Sequence, residues 1–319
     1  MTRWLALLIC AGAMLGSAGA QTPYPDRPIR IVIGFGPGGL ADITMRLVGQ
    51  KLTERTGQQV TIENRPGAGG VVAASAVTSA APDGYTLFVL SSGIAISKSL
   101  LKSMPFDPVT AFAPISTVAY FDLLILANAQ SSLRAMQDVL AAARASPGRF
   151  NVGTINPGST QNLSAELLRS ATGVGMQIVP YRSTPEVLTA LLRDDIQIAV
   201  ESYAALKAAI DDGKIRAVAA TGETRSPMQP NVPTLRESGI AAEVVGWNAL
   251  VAPAQTPKEV VAALNGHIAA IVAMPDFRQR LIDLGTEAKA STPSELGQRL
   301  VSDIDKWGVV IKQAGLEPK

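Results

Sequence analysis

The residues best suited to chemistry are three glycines. Gly34, Gly36 and Gly39 spell G-x-G-x-x-G, after an apolar run from Ile29 and before a helical pattern from Ala41. Three readings of this loop stand. It could hold a dinucleotide: the next strand pattern ends at Glu63, about where a ribose-binding acid would stand. Against that, Pro37 removes an amide that could reach a phosphate. It could simply make a tight turn from strand to helix. Or its amides could bind a carboxylate, since the N–H groups of Gly38, Gly39, Leu40 and Ala41 have no partner within a helix that starts there. The helix dipole adds only about 0.3–1 kcal/mol, up to ~2 when partly buried. Each hydrogen bond to a charged acceptor adds about 1.5–3 kcal/mol. Two or three such bonds make a specific site without an arginine.

A second loop has the same design. The stretch FNVGTINPGSTQNL, residues 150–163, runs from a strand pattern through Gly158, Ser159 and Thr160 into a helix. Ser159 and Thr160 could merely cap that helix. Paired with the first loop across a cleft, they would form one side of a two-sided anion clamp. Other chemistries find little support. His267 is the only histidine and Cys10 the only cysteine, so a catalytic triad, a thiol nucleophile or a Cys/His metal site has no residues to work with. No G-x-S-x-G elbow is present either. No metal and no cofactor is expected.

The elements that must position these loops follow from pattern. Residues 1–20 read as a secretory signal: Arg3, an apolar core at 5–15, and Ala18-Gly19-Ala20 as the cleavage site. The chain is expected to be exported and cut after Ala20, which also weighs against a nicotinamide cofactor. Beyond Arg3 there are 27 basic and 26 acidic side chains, with no basic run, so nucleic acid and anionic membrane are poor partners. Strand patterns fall at 29–35, 59–63, 86–90, 113–127, 150–153, 177–180, 196–200, 217–221 and 243–251. Helical patterns include 41–55, 133–145, 161–170 and 185–193, and everything from Pro257 reads as helical. This alternation predicts an α/β protein with mostly parallel sheets flanked by helices. The long strands at 113–127 and 243–251 enclose a middle block with its own strands. Two domains are therefore expected: 21–121 plus 247–319, and 122–246, joined by two crossing strands that act as a hinge over a ligand cleft.

Several motifs in order resemble the Bug-type, or tripartite tricarboxylate transporter (TctC-like), periplasmic receptors. They are YPDRPIR at 24–30, GPGG at 36–39 followed by Asp42, and ENRPGAGG at 63–70. APDGY at 81–85, Gly158-Ser159 with Gln161, VPYR at 179–182, VPT at 232–234, and Ala252-Pro253 before Thr256-Pro257 complete the set. The resemblance covers nearly the whole chain after the signal. It implies a two-lobed Venus-flytrap fold that closes on an organic acid, without enzymatic activity. It further implies delivery of that acid, by a monomer, to the membrane components of a transporter or to a sensor protein. By the same carry-over Gly38, Gly39, Leu40, Ala41 and Asp42 grip the ligand from the first lobe, and Gly158, Ser159, Thr160 and Gln161 from the second. Ser91 and Ser92, with Arg182, Ser183 and Thr184, close strand ends where ligands lie in α/β sheets. Departures are Leu40-Ala41 and Asn162, where the family commonly has hydroxyl residues and histidine, and Gln197 and Glu201, where it has aspartates. Arg182 could instead pair with Glu201, Asp42 could serve its own helix, and Trp247 could pack at the hinge. With little positive charge near the loops, the ligand is expected to be a mono- or dicarboxylate. An exported hydrolase using the same cleft is the alternative.

Overall fold

A computed structural model of the chain describes residues 24–226 and 228–313. The signal segment and its cleavage site lie outside the described residues. In chain order the first elements are β1 (Ile29–Ile33), α1 (Leu40–Thr56), β2 (Val60–Asn64), α2 (Val71–Thr78), β3 (Thr86–Ser91), α3 (Ser92–Leu100) and β4 (Phe112–Asp122). The chain then forms β5 (Leu124–Asn128), α4 (Met136–Ala145), β6 (Phe150–Ile155), α5 (Thr160–Thr172), β7 (Met176–Tyr181), α6 (Thr184–Leu192), β8 (Ile198–Glu201), α7 (Tyr203–Asp211) and β9 (Ile215–Ala220). It closes with β10 (Val245–Pro253), α8 (Lys258–Ala273), α9 (Pro275–Asp283), β11 (Glu287–Ala288) and α10 (Pro293–Gln313).

Two sheets result, one per lobe. The first has the order β11-β4-β10-β3-β1-β2, the second β7-β6-β8-β5-β9. Strands β1 to β4 share one direction, as do β6 to β9. Each sheet is nevertheless mixed, because the strands by which the chain enters the second lobe and returns from it, β5 and β10, are inserted antiparallel. The apolar runs of β1, β3 and β5 are buried almost throughout, as strands covered by helices on both faces must be.

Two sequence expectations need correction. The strand pattern at 113–127 is two strands in different sheets. At Leu123 the backbone leaves the first ladder, and its N–H donates to Thr221 Oγ1 at 2.9 Å instead. The tail is not helical throughout either. Gly285, at φ +66°, turns the chain after α9, and β11 then pairs with the otherwise open edge of β4.

Thr221 pins the hinge. It is fully buried, accepts from Leu123 and donates from the same hydroxyl to the Val244 carbonyl at 2.8 Å. One side chain thus ties together both segments that cross between the lobes. Helix α10 adds a second tie: its Trp307 and Ile311 pack with Ile96 of α3 and with Leu163 and Leu167 of α5 in the other lobe.

Candidate ligand-binding site

Where the lobes meet they enclose a void lined by Phe35, Gly36, Gly39, Leu40, Ala41, Ser91 and Phe121, with Asn248 on the same side. Ile155, Thr160, Gln161, Ser183 and Thr184 line it from the second lobe. It holds about 410 Å³, and beside it the lobes touch, with 2.8 Å between the Ser92 and Thr160 hydroxyls. The lobes are therefore closed down on it. No lining side chain is titratable. A larger groove of about 1000 Å³ beside the hinge carries charges of both signs, on Asp122, Glu223, Arg225 and Glu287. The smaller void stands out by its chemistry rather than its size.

That chemistry is set by helix ends. Helices α1, α3, α5 and α6 all begin at the void, with Gly39, Ser91, Ser159 and Ser183 at their N-caps. The first amides of a helix have no partner within it and carry its positive dipole end. Only α5 is capped by its own side chain, the Ser159 hydroxyl accepting from the Asn162 N–H at 3.1 Å. No side chain caps α1, α3 or α6. Positive potential is thus built into the void by backbone alone.

The two glycine loops line the void from opposite lobes without touching each other. The first loop meets the start of α6: a Cβ at Gly36 would stand 2.8 Å from the Arg182 carbonyl oxygen, and one at Gly39 would stand 3.3 Å from Thr184 Oγ1. The second loop meets Gly69 and the start of α3. A Cβ at Gly69 would lie 2.9 Å from the Gly158 backbone, and one at Gly93 would lie 3.0 Å from the Gly158 oxygen. Here the hydroxyls of Ser92 and Thr160 bond across the lobes at 2.8 Å. The first loop thus packs on the start of α6 and the second on the start of α3, so the lobes meet through two pairs of contacts.

Of the residues singled out from sequence, Gly39, Leu40, Ala41, Ser91, Thr160, Gln161, Ser183 and Thr184 line the void. Gly38, Asp42, Ser92, Gly158, Ser159 and Arg182 do not. Asp42 is buried and accepts from the Gly38 N–H at 3.0 Å, from Asn64 at 3.0 Å and from Arg46 at 2.9 Å. Burial pushes its carboxyl up, but those bonds together outweigh it and hold it below the usual range. Asp42 therefore fastens the loop, and it occupies the Gly38 amide that was expected to serve a ligand. Asn162 does the same opposite, accepting from the Gly158 N–H at 3.2 Å. Arg182 is exposed, with only its backbone turned to Gly36.

Glu201, the end of β8, lies directly behind the void. It is fully buried and does not pair with Arg182. Its carboxylate accepts from Gln161 Nε2 at 2.8 Å, from Thr184 Oγ1 at 2.6 Å and from the Ser202 N–H at 2.7 Å. Burial pushes its carboxyl above the ordinary value, and the donors counter this only in part. Trp247 packs in the first-lobe core and donates to Asp303 at 2.5 Å. His267, on α8, is half-buried and does not line the void.

Sequence reasoning missed Phe35, Phe121, Ile155 and Asn248, and singled out Gly36 only as part of the glycine motif. Phe35, Phe121 and Ile155 sit at or just past the C-terminal ends of β1, β4 and β6, where the strand-end rule would have placed them. Asn248 has its own signal, a lone amide within the apolar run of β10.

The family model described as tripartite tricarboxylate transporter family receptor matches residues 44–316. Protein BugT of Bordetella pertussis (strain Tohama I) is 30% identical over 327 residues, spanning 100% of this chain and 99% of its own. The solved structure of the periplasmic binding protein BugD superimposes with a TM-score of 0.88 at 29% identity, covering 93% of this chain and 100% of that one. The structure of Rhodopseudomonas palustris Rpa4515 with adipate reaches a TM-score of 0.89 at 31% identity, again over 93% and 100%.

Proposed function

This chain belongs to the tripartite tricarboxylate transporter receptor family, and on that premise we propose that it is a periplasmic receptor closing on a small organic carboxylate. The ligand is a mono- or dicarboxylate. It is passed on to the membrane components of a transporter or to a sensor protein, and no chemistry is done on it. The first lobe comprises 21–121 and 247–319, the second 122–246. One observation carries this reading: four helix N-termini, three without a side-chain cap, begin at one interlobe void that has no titratable side chain. Such a site stabilises an anion by amides and dipoles, and its lining hydroxyls have beside them in the void no titratable base of the kind a hydrolase needs. Related structures support the ligand class, since one holds adipate.

The contacts to the carboxylate are assigned to the amides and hydroxyls of Gly39, Leu40 and Ala41, with Thr160, Gln161, Ser183 and Thr184 opposite. Asp42, Gly158 and Ser159 hold those groups in place. A thermal-shift panel of C2 to C8 carboxylates, each with its products followed by mass spectrometry, tests the proposal. At least one acid at a hundred times its Kd is expected to stabilise the protein by about 2.7 kcal/mol, without turnover. Turnover would transfer the site to the hydrolase reading, and a flat panel would remove the carboxylate.

A further inference from the structure

We infer that Ser91 and Asn248 form a specificity subsite that reads an oxygen acceptor on the ligand, away from its carboxylate. The ligand class is then a short hydroxy- or oxo-carboxylic acid. This rests on the carboxylate reading above and goes beyond it.

The two residues are direct neighbours. Asn248 of β10 pairs in register with Ser91, the last residue of β3. Both line the void, with 2% and 3% exposure. Among the described residues neither Asn248 Nδ2 nor Ser91 Oγ has a hydrogen-bond partner. Buried donors are rarely left so, and each such case calls for an explanation. Ser91 makes the point sharper. It is the N-cap of α3, where a serine hydroxyl ordinarily accepts from its own helix, yet it makes no such bond.

The backbone aims Asn248 at the void. Its neighbours Trp247 and Ala249 turn to the core beneath α2 and α10. Strand alternation therefore puts Asn248 on the opposite face, and the ladder with β4 shifts register just after it. Such irregularities re-aim side chains beside binding sites.

The chemistry of the occupant follows from the donors. An amide Nδ2 donates only, so the partner presents an oxygen lone pair. A neutral hydroxyl or keto oxygen fits better than a second carboxylate. No cation lines the void, Arg46 is engaged by Asp42, and Glu201 stands behind Gln161 and Thr184. The remaining walls, Phe35, Phe121, Leu40 and Ile155, are apolar. They suit a short carbon chain between two polar ends, and the narrowness of the closed void keeps that chain short.

The test is calorimetry with three probes of equal length: butyrate, 3-hydroxybutyrate and succinate. The wild-type protein is expected to bind 3-hydroxybutyrate at least tenfold more tightly than either of the others. In Asn248→Leu, close in volume, that preference should shrink to within threefold, chiefly by loss of 3-hydroxybutyrate affinity. Ser91→Ala, a smaller change, should halve the preference or better and guards against a folding defect in the first variant. Succinate binding tightest in wild type, or a preference untouched by both substitutions, overturns the inference while leaving the carboxylate site standing. If none of the three acids binds wild type while amines or sugars do, the carboxylate reading falls and the subsite with it.

Discussion

Gly36→Val should lower the affinity for whichever acid binds best by at least a hundredfold, about 2.7 kcal/mol, while leaving the stability of the free protein within about 0.5 kcal/mol. The reason lies in which atoms a side chain would meet. The nearest atoms to a Cβ at Gly36 are the Arg182 carbonyl oxygen at 2.8 Å and Ser183 Cβ at 3.0 Å, both in the other lobe. Gly36 itself does not adopt a left-handed conformation, so valine strains nothing in its own lobe. The substitution blocks closure and little else. A receptor whose binding-competent state is the closed one loses affinity in proportion to the population of that state. Small-angle scattering should show no compaction of the variant with ligand. Affinity within threefold of wild type would mean that the closed arrangement is not the binding form. Gly39, the more obvious target from sequence, is a weaker probe. Its Cβ would meet Thr184 Oγ1 at 3.3 Å, a contact that a shift of a few tenths of an ångström relieves.

The second large effect concerns pH. Glu201 is buried without an ion-pair partner among the described residues, and one carboxylate joins Gln161 at the start of α5 to Thr184 at the start of α6. An anion bound at those helix ends stands one side chain away from it. At a separation of about 7 Å and an effective dielectric of about 20, two like charges repel by roughly 2 kcal/mol. Ligand binding should therefore draw a proton onto Glu201, and affinity should rise as pH falls through the raised carboxyl value, by up to about thirtyfold. Burial already pushes Glu201 above its ordinary value. The folded protein thus holds this proton more tightly than the unfolded chain. The contribution of Glu201 to stability is fully present at or below the ordinary carboxylate pKa and is lost as pH rises through the raised one. Glu201→Gln should flatten the affinity profile and remove the Glu201 contribution from the stability profile. Calorimetry in buffers of different ionisation enthalpy would detect the proton directly. Equal pH profiles for wild type and variant, with no proton taken up, would show that Glu201 stays ionised throughout and serves only to hold its two partners.

How much of this was legible in the sequence differs from element to element. The strands and helices around the two glycine loops were readable because periodicity and glycine placement are local signals. The break at Leu123 was not read, although Asp122 interrupts the apolar run just before it, because one charged residue in an otherwise strand-like run does not show where the chain changes sheet. There the Leu123 N–H donates to Thr221, some hundred residues away. Loop pairing across the cleft was also beyond reach. Which loop meets which depends on how two separately formed sheets are turned about the hinge, and each loop carries the same glycine-to-helix signature. Asp42 shows a different limit. An acid in the first turn of a helix has the same appearance whether it greets a ligand or fastens its own loop, and only the bonds from Gly38, Asn64 and Arg46 decide it. Asn248 could have been found. A single amide in a fully buried apolar strand is an informative departure, because burial of a polar group demands a partner.

The central claim is that backbone amides and helix N-termini, with no cationic side chain, hold one carboxylate between the closed lobes. The most direct measurement compares the tightest-binding acid with its primary amide, identical in shape but neutral, by calorimetry at pH 7 and two salt concentrations. The amide should bind at least a hundredfold more weakly, and the acid should lose less than threefold in affinity between 0.05 and 0.5 M salt, because a buried, desolvated anion is little screened. An amide that binds as well as the acid would contradict the account.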